Sequence, residues 1–231
     1  MKKVIVSLFL CIVLLSGCST NKDTAFTVNE VSVERKELLF YMNRLLDETI
    51  ADIETEYNIS AAEDGFWNTP VGETTPLEIL KSAAVEKIVR IKTEMLCAKE
   101  YNIAVLPFEY SKQIKVWERD NNERQWKADN GETVYGNVLR SFYTYFQDEF
   151  LSMQNELKLE LEKNGTIKIT EKELKACYEE YETELNCSFE EAKNTVFGWV
   201  LNEKYEKYID SLMPSAEIVY ENMDIDYNEL S

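Results

Sequence analysis

Apolar side chains recur at helical spacing over most of this chain. One run follows Ser32, which is expected to cap a helix, and comprises Leu38, Met42, Leu45, Thr49, Ile53 and Tyr57. A second run extends to about Tyr101 and comprises Leu80, Ala84, Ile88, Ile91, Met95 and Ala98. Because residues three and four apart share one face of a helix, each run predicts a long helix with one buried stripe.

Capping motifs and breaks predict further helices. Thr75 and Glu78 have the spacing of a capping box, with Pro76 at the first helical position, and the spacing recurs at Thr170/Glu173 and Ser188/Glu191. Breaks are expected at Asp129-Asn130-Gly131, Asn164-Gly165 and Pro214. With a loop over 61–74, the remaining helices are expected at 107–128, 138–163, 171–184 and 189–212.

Short strands are expected at both ends of this helical region. Residues 26–31, FTVNEV, have the composition of a strand, and Ala216, Ile218 and Tyr220 alternate with Glu217, Val219 and Glu221. Pairing of these two segments would bring the ends of the domain together. The predicted fold is therefore mostly α with a small strand pair over 26–221, followed by an acidic tail at 222–231.

The chain is strongly acidic, with 43 acidic and 25 basic residues and a net charge of −18. Such a surface repels nucleic-acid phosphates, so a nucleic-acid partner is not expected. It also repels anionic lipid headgroups. Basic or unfolded proteins are the partners that this charge favours.

The chain contains no histidine, which excludes histidine-based acid–base catalysis, Ser-His and Cys-His nucleophiles and the commonest zinc ligand. Three cysteines follow Cys18, namely Cys97, Cys177 and Cys187, and an odd number does not predict a disulfide framework. A Cys177–Cys187 bridge stays open. Acidic clusters at 129–132 and at Asp224/Asp226 lack the spacing of an EF-hand and are interpreted as a turn and a tail. No catalytic, cofactor or metal residue is predicted.

The first residues have the pattern of a secreted lipoprotein. A short positive start is followed by the apolar run 4–15, which is shorter than a membrane-spanning helix. The segment LLSGCST resembles the lipobox of bacterial lipoproteins. This resemblance implies a signal peptide at 1–17, a diacylglycerol anchor on Cys18 and a tether at 18–25. A lipid-anchored protein at the extracytoplasmic face of the cell membrane is expected, with a plain secretory signal as the alternative.

Four segments in order resemble the SurA/PrsA-type extracytoplasmic foldases. They are VNEVSVERKELLFYMNRLL (28–46), GFWNTPVGETTPLEILKSAAVEKIVRIKTEMLCAKEYNI (65–103), NNERQWKADNGETVYG (121–136) and ITEKELKACYEEYE (169–182). The resemblance implies a SurA N-terminal-like helical chaperone domain that cradles unfolded chains. Many relatives carry a parvulin isomerase domain before the last helix. Here only YETELNCSFE (181–190) occupies that place, and the histidines of the isomerase site are missing, so isomerase activity is not expected.

Six aromatic residues are candidate contacts for client proteins. Phe66 and Trp67 lie in the predicted loop, and the alternative is that they pack into the core. Trp117 and Trp126 are nine residues apart on one helix, so they point in opposite directions and at least one should lie outside the core or at its edge. Tyr143 and Tyr145 flank a core arc formed by Phe142, Phe146, Phe150, Met153 and Leu157. The widened face either packs on two neighbours as core or leaves an exposed apolar edge for clients.

Two functions fit this sequence. One is a membrane-anchored chaperone that binds unfolded or partly folded secreted proteins without cofactor, ATP or isomerase activity. The other is a non-catalytic scaffold that binds one folded partner at the cell surface. An enzyme is the third reading, and it would depend on carboxylates alone.

Overall fold

The structure is a computed structural model and describes residues 23–230. The signal peptide, Cys18 and most of the predicted tether lie outside this range. The described residues form β1 (Thr24–Val28), β2 (Val31–Glu34), α1 (Arg35–Tyr57), α2 (Pro76–Glu100), α3 (Tyr110–Asp129), α4 (Phe142–Lys163), α5 (Glu171–Leu185), α6 (Phe189–Leu212) and β3 (Ile218–Tyr220). Short 3₁₀ helices occupy Phe66–Asn68, Met213–Ser215 and Tyr227–Leu230. The predicted mostly helical class is confirmed.

The strands form one antiparallel sheet in the order β2-β1-β3. The expected pairing of the chain ends is confirmed, since Phe26 of β1 lies opposite Tyr220 of β3. The single strand expected at 26–31 is wrong, because Asn29 and Glu30 both adopt positive φ angles and turn the chain into a hairpin. Ser32 therefore lies in β2, where its hydroxyl is 3.0 Å from that of Thr24, and it does not cap α1.

Helix α2 is the central element of the core. Apolar residues are buried along its whole length, and it packs against α1, α4 and α6. It also carries buried polar groups. Glu94 accepts hydrogen bonds from Tyr205 of α6 at 2.5 Å and from Gln154 of α4 at 2.6 Å, and Arg90 forms ion pairs with Glu206 and Asp210 of α6. These contacts fix the three helices relative to one another.

Two helices begin at later residues than predicted, because side chains hold the preceding segments in other conformations. Helix α3 begins at Tyr110, because Gln113 and Lys92 donate to the carbonyl groups of Pro107 and Phe108 in an extended segment. Helix α4 begins at Phe142 rather than at 138. The backbone of Arg140 is held by Asn121 and Trp117 of α3, and Ser141 caps the helix by accepting from the Thr144 N–H.

The predicted caps of the other helices are present, with one difference. Thr75 accepts from the Glu78 N–H, but the Glu78 carboxylate pairs with Lys81 at 2.8 Å instead of completing the box. The Thr170/Glu173 box is reciprocal. At α6 the Glu191 carboxylate accepts from the backbone and hydroxyl of Ser188.

Helices α5 and α6 form a hairpin whose outer part has a small core of its own. Leu174, Ala192, Val196 and Val200 are buried there, apart from the main core. The thiols of Cys177 and Cys187 are both free, so the bridge left open by the sequence is absent.

The end of the chain packs back onto the domain instead of forming the expected acidic tail. Ile225 and Leu230 are buried in the main core, and the Tyr227 ring stacks on Trp67 at 4.5 Å. The Glu229 carboxylate accepts from the guanidinium of Arg35 at 2.6 Å. Residues 222–230 are therefore part of the fold.

Candidate functional site: an aromatic junction and an exposed arm

Eight aromatic rings meet where α1, α3 and α4 converge. We call this cluster the aromatic junction, and its members are Phe40, Tyr41, Tyr110, Trp117, Phe142, Tyr143, Phe146 and Phe150. Neighbouring ring centroids are 5.2 to 6.3 Å apart, which is the spacing of attractive aromatic pairs. The cluster joins the first helix of the domain to the base of the α3–α4 pair.

The aromatic junction is only partly covered. Phe142 and Phe146 are buried, whereas Phe40, Tyr110 and Tyr143 are half-buried. On its edge, the guanidinium of Arg44 lies 4.1 Å from the Tyr143 ring, in the geometry of a cation–π contact. The junction therefore presents aromatic surface to solvent beside a fixed positive charge.

A buried ion pair lies next to the junction. Lys92 Nζ is 2.7 Å from Glu37 Oε1, and both side chains are almost completely buried. Glu37 Oε2 has no hydrogen-bond partner among the described residues. Burial raises the pKa of Glu37, because lost solvation outweighs the attraction of Lys92. Burial, followed by the charges of Glu37 and Glu34, raises the pKa of Tyr110 to about 12. This phenol therefore stays neutral and keeps its apolar surface.

Beyond the junction, α3 and the following segment form an exposed arm. Gln113, in its first turn, is the one fully buried residue of α3. Farther along, Arg124 donates to the carbonyl oxygens of Tyr135, Asn137 and Val138 at 2.7, 2.6 and 3.1 Å. These bonds hold the connecting segment against the helix.

The arm exposes three large apolar side chains. They are Trp126, Tyr135 and Leu139, with 57%, 87% and 60% of their surface accessible. We call these three residues the arm residues. Burying one such side chain on binding is worth about 1.5–3 kcal/mol, so all three offer substantial binding surface to an apolar partner.

The six predicted contact residues differ in how far the structure exposes them. Phe66, Trp67 and Tyr145 are buried, so their alternative reading as core residues describes this structure. Trp117 is half-buried, and its indole N–H donates to the Arg140 carbonyl at 2.8 Å. Tyr143 lies on the edge of the junction. Trp126 is exposed, and the expectation that Trp117 or Trp126 lies outside the core is confirmed.

Sequence reasoning missed several residues of this site. Phe40 lies off the stripe of Leu38 and Met42, and Tyr110 begins a helix expected to start at 107. A sequence signal existed for Phe40, since an aromatic residue beside a complete apolar stripe widens that face. Tyr135 and Leu139 lie in a segment interpreted as a break and a helix start, and nothing in their spacing marked them as exposed.

No protein-family model, curated protein or solved structure matches this chain. Within residues 23–230 no helix combines the length and the apolar composition of a membrane span. The same range contains no cluster of three or more cysteine or carboxylate side chains arranged to bind a metal ion.

Proposed function

We propose that this chain is a membrane-anchored extracytoplasmic chaperone of the SurA/PrsA type that lacks isomerase activity and holds partly folded secreted proteins. The supporting observation is the partly covered aromatic junction at the base of an arm that exposes Trp126, Tyr135 and Leu139. Trp126 lies on α3, and Tyr135 and Leu139 lie in or beside the segment that Arg124 holds against this helix. An exposed apolar patch on a monomer often marks an interaction site. Client segments would bury their apolar residues there reversibly.

Charge supports a client that is basic as well as apolar. The net charge of −18 attracts cationic chains and speeds their encounter. It also repels other copies of this chain and anionic headgroups, which keeps the arm available. The lipid anchor is proposed at Cys18. A Cys18→Ala variant should lose incorporation of a labelled fatty acid and should leave the membrane fraction, and retention of both would contradict the anchor.

Suppression of client aggregation tests the chaperone function. The full chain, held in zwitterionic lipid nanodiscs, is mixed with reduced lysozyme, a basic secreted protein, and light scattering is followed. We expect the chain to lower the scattering at an equimolar ratio, and empty nanodiscs to have no effect. Unchanged scattering would contradict holdase activity.

Two triple variants locate the surface. Trp126→Ala/Tyr135→Ala/Leu139→Ala should lose most of the suppression. The control Leu151→Ala/Leu159→Ala/Val219→Ala removes exposed apolar side chains elsewhere and should keep it. Equal losses would show that the arm has no special role. If a pull-down from solubilised membranes instead yields one stoichiometric folded partner, the scaffold function is favoured.

A further inference from the structure

A second surface, of mixed aromatic and charged side chains, lies on the α5–α6 hairpin, distinct from the arm residues. It is an open groove with a volume of about 850 Å³. Its aromatic floor, as we name it, comprises Tyr181 and Trp199, with Cys177 and Val200 beside them, and four glutamates and two lysines (Lys204 and Lys207) also line the groove. The Tyr181 and Trp199 rings are in edge contact at 5.2 Å, and Trp199 keeps 42% of its surface exposed. Ligand sites commonly enclose roughly 300 to 1,000 Å³, so the groove can accommodate side chains of a partner.

Four carboxylates surround this aromatic floor, and two of them are already paired. Glu173 pairs with Lys204 at 2.7 Å, and Glu203 pairs with Lys207. The Tyr181 hydroxyl hydrogen-bonds to Glu180, but neither Glu180 nor Glu184 forms an ion pair within the described residues 23–230. They are four residues apart on α5, so they share one face of the helix and repel each other at about 5–6 Å between Cβ atoms. A cation bound between them would relieve this repulsion.

We propose that this groove binds an arginine-containing apolar segment of a protein partner. The guanidinium would stack on the exposed ring of Trp199 and donate to Glu180 and Glu184. Apolar neighbours of that arginine would cover Tyr181 and Cys177, which are both partly exposed. Arginine fits better than lysine, because its planar fork can contact two carboxylates and an aromatic face at once, whereas an ammonium group is a compact, strongly hydrated charge.

The negative charge of Glu180 and Glu184 disfavours two other kinds of ligand. Anionic lipid headgroups and nucleic-acid phosphates would meet the unpaired Glu180 and Glu184. This inference goes beyond the proposed chaperone function, since the groove lies on other helices than the arm and would bind its segment whether the chain acts as a chaperone or as a scaffold.

Fluorescence anisotropy with labelled peptides tests the proposal. The full chain in zwitterionic nanodiscs is titrated into a short peptide of leucine, arginine and serine, and into versions with lysine or glutamate in place of arginine. We expect the arginine peptide to bind most tightly and the glutamate peptide not to bind. In Trp199→Ala and in Glu180→Gln/Glu184→Gln, the Kd of the arginine peptide should rise about tenfold, the scale of a partly desolvated cation–π contact.

Matched variants make each outcome decisive. Tyr220→Ala removes from β3 a ring that is 41% exposed, close to the 42% of Trp199, and Glu48→Gln/Glu56→Gln removes two exposed carboxylates from α1. Both should leave the Kd unchanged. The proposal is overturned if Trp199→Ala weakens binding no more than Tyr220→Ala does, if the α1 variant weakens it as much as the groove variant, or if the lysine peptide binds as well as the arginine peptide. If Trp199→Ala does not fold, the carboxylate variant decides.

Discussion

At the scale of single residues, the buried ion pair of Glu37 and Lys92 lies next to the aromatic junction. Two charged side chains with almost no solvent access depend on each other, because neither can be hydrated. Lys92 also donates to the Phe108 carbonyl at 2.7 Å, just before α3 begins. The pair therefore ties α1 and α2 to the start of the arm.

Removal of one partner from this pair should be costly. Glu37→Leu leaves the Lys92 charge buried without a counter-ion, and we expect the free energy of unfolding to fall by about 3–5 kcal/mol. The double variant Glu37→Leu/Lys92→Met removes both charges and should recover most of that loss. Urea unfolding followed by circular dichroism measures both. A double variant as unstable as the single one would show that packing, not charge, is responsible.

At the level of elements, the sequence predicted most of the helices because their start signals are local. Thr170, Glu173 and Ser188 cap helices through bonds to residues within three positions, so their spacing alone was informative. The start of α4 depends instead on bonds from Trp117 and Asn121 to Arg140, about twenty positions away. Such contacts have no local sequence signal.

The arm should loosen when its main clamp is removed. Arg124→Ala deletes three hydrogen bonds to the backbone of 135–138. We expect faster amide hydrogen exchange over 130–141 and an unchanged unfolding midpoint. Hydrogen-exchange mass spectrometry gives both the rate and its location. Arg119→Ala, an exposed neighbour on α3, should change neither, and faster exchange in that variant would contradict the clamp.

The start of α5 should make stability depend on pH. Glu173 bonds to Lys204 and to the backbone and hydroxyl of Thr170, and these contacts lower its pKa from 4.5 to about 2. Since the folded-state pKa is the lower one, this contribution is fully present above pH 4.5 and is lost as the pH falls towards about 2.

Glu173→Gln should therefore flatten the fall in the unfolding midpoint over that pH window, as measured by urea unfolding at a series of pH values. Glu179→Gln removes an exposed carboxylate from the same helix and should leave the profile unchanged. If both variants give the same profile, the cap and the Lys204 pair do not contribute to the acid sensitivity.

On the scale of the whole molecule, β1 and β3, which lie near the two ends of the described residues 23–230, pair in one sheet. The strand pairing was predictable from the composition of 26–31 and from the alternation at 216–221. The docking of 222–230 was not, because acidic residues dominate that segment and its apolar residues, Met223, Ile225, Tyr227 and Leu230, are scattered. Tertiary contacts, namely the Trp67–Tyr227 stack and the Arg35–Glu229 pair, decide its position. For the same reason Trp67, expected as a candidate client contact, lies against this segment, and Phe66 is buried in edge contact with Trp67.

A substitution in 222–230 tests whether this segment is part of the domain. Ile225 is 2% exposed and belongs to the main core. Truncating it in Ile225→Ala leaves a cavity, so we expect the free energy of unfolding to fall by about 2–5 kcal/mol. Asp224→Ala, at the exposed neighbouring position, should change it by less than about 0.5 kcal/mol. If thermal and urea unfolding give equal stability for both variants, 222–230 is a detached tail and the buried surface of Trp67 becomes available to partners.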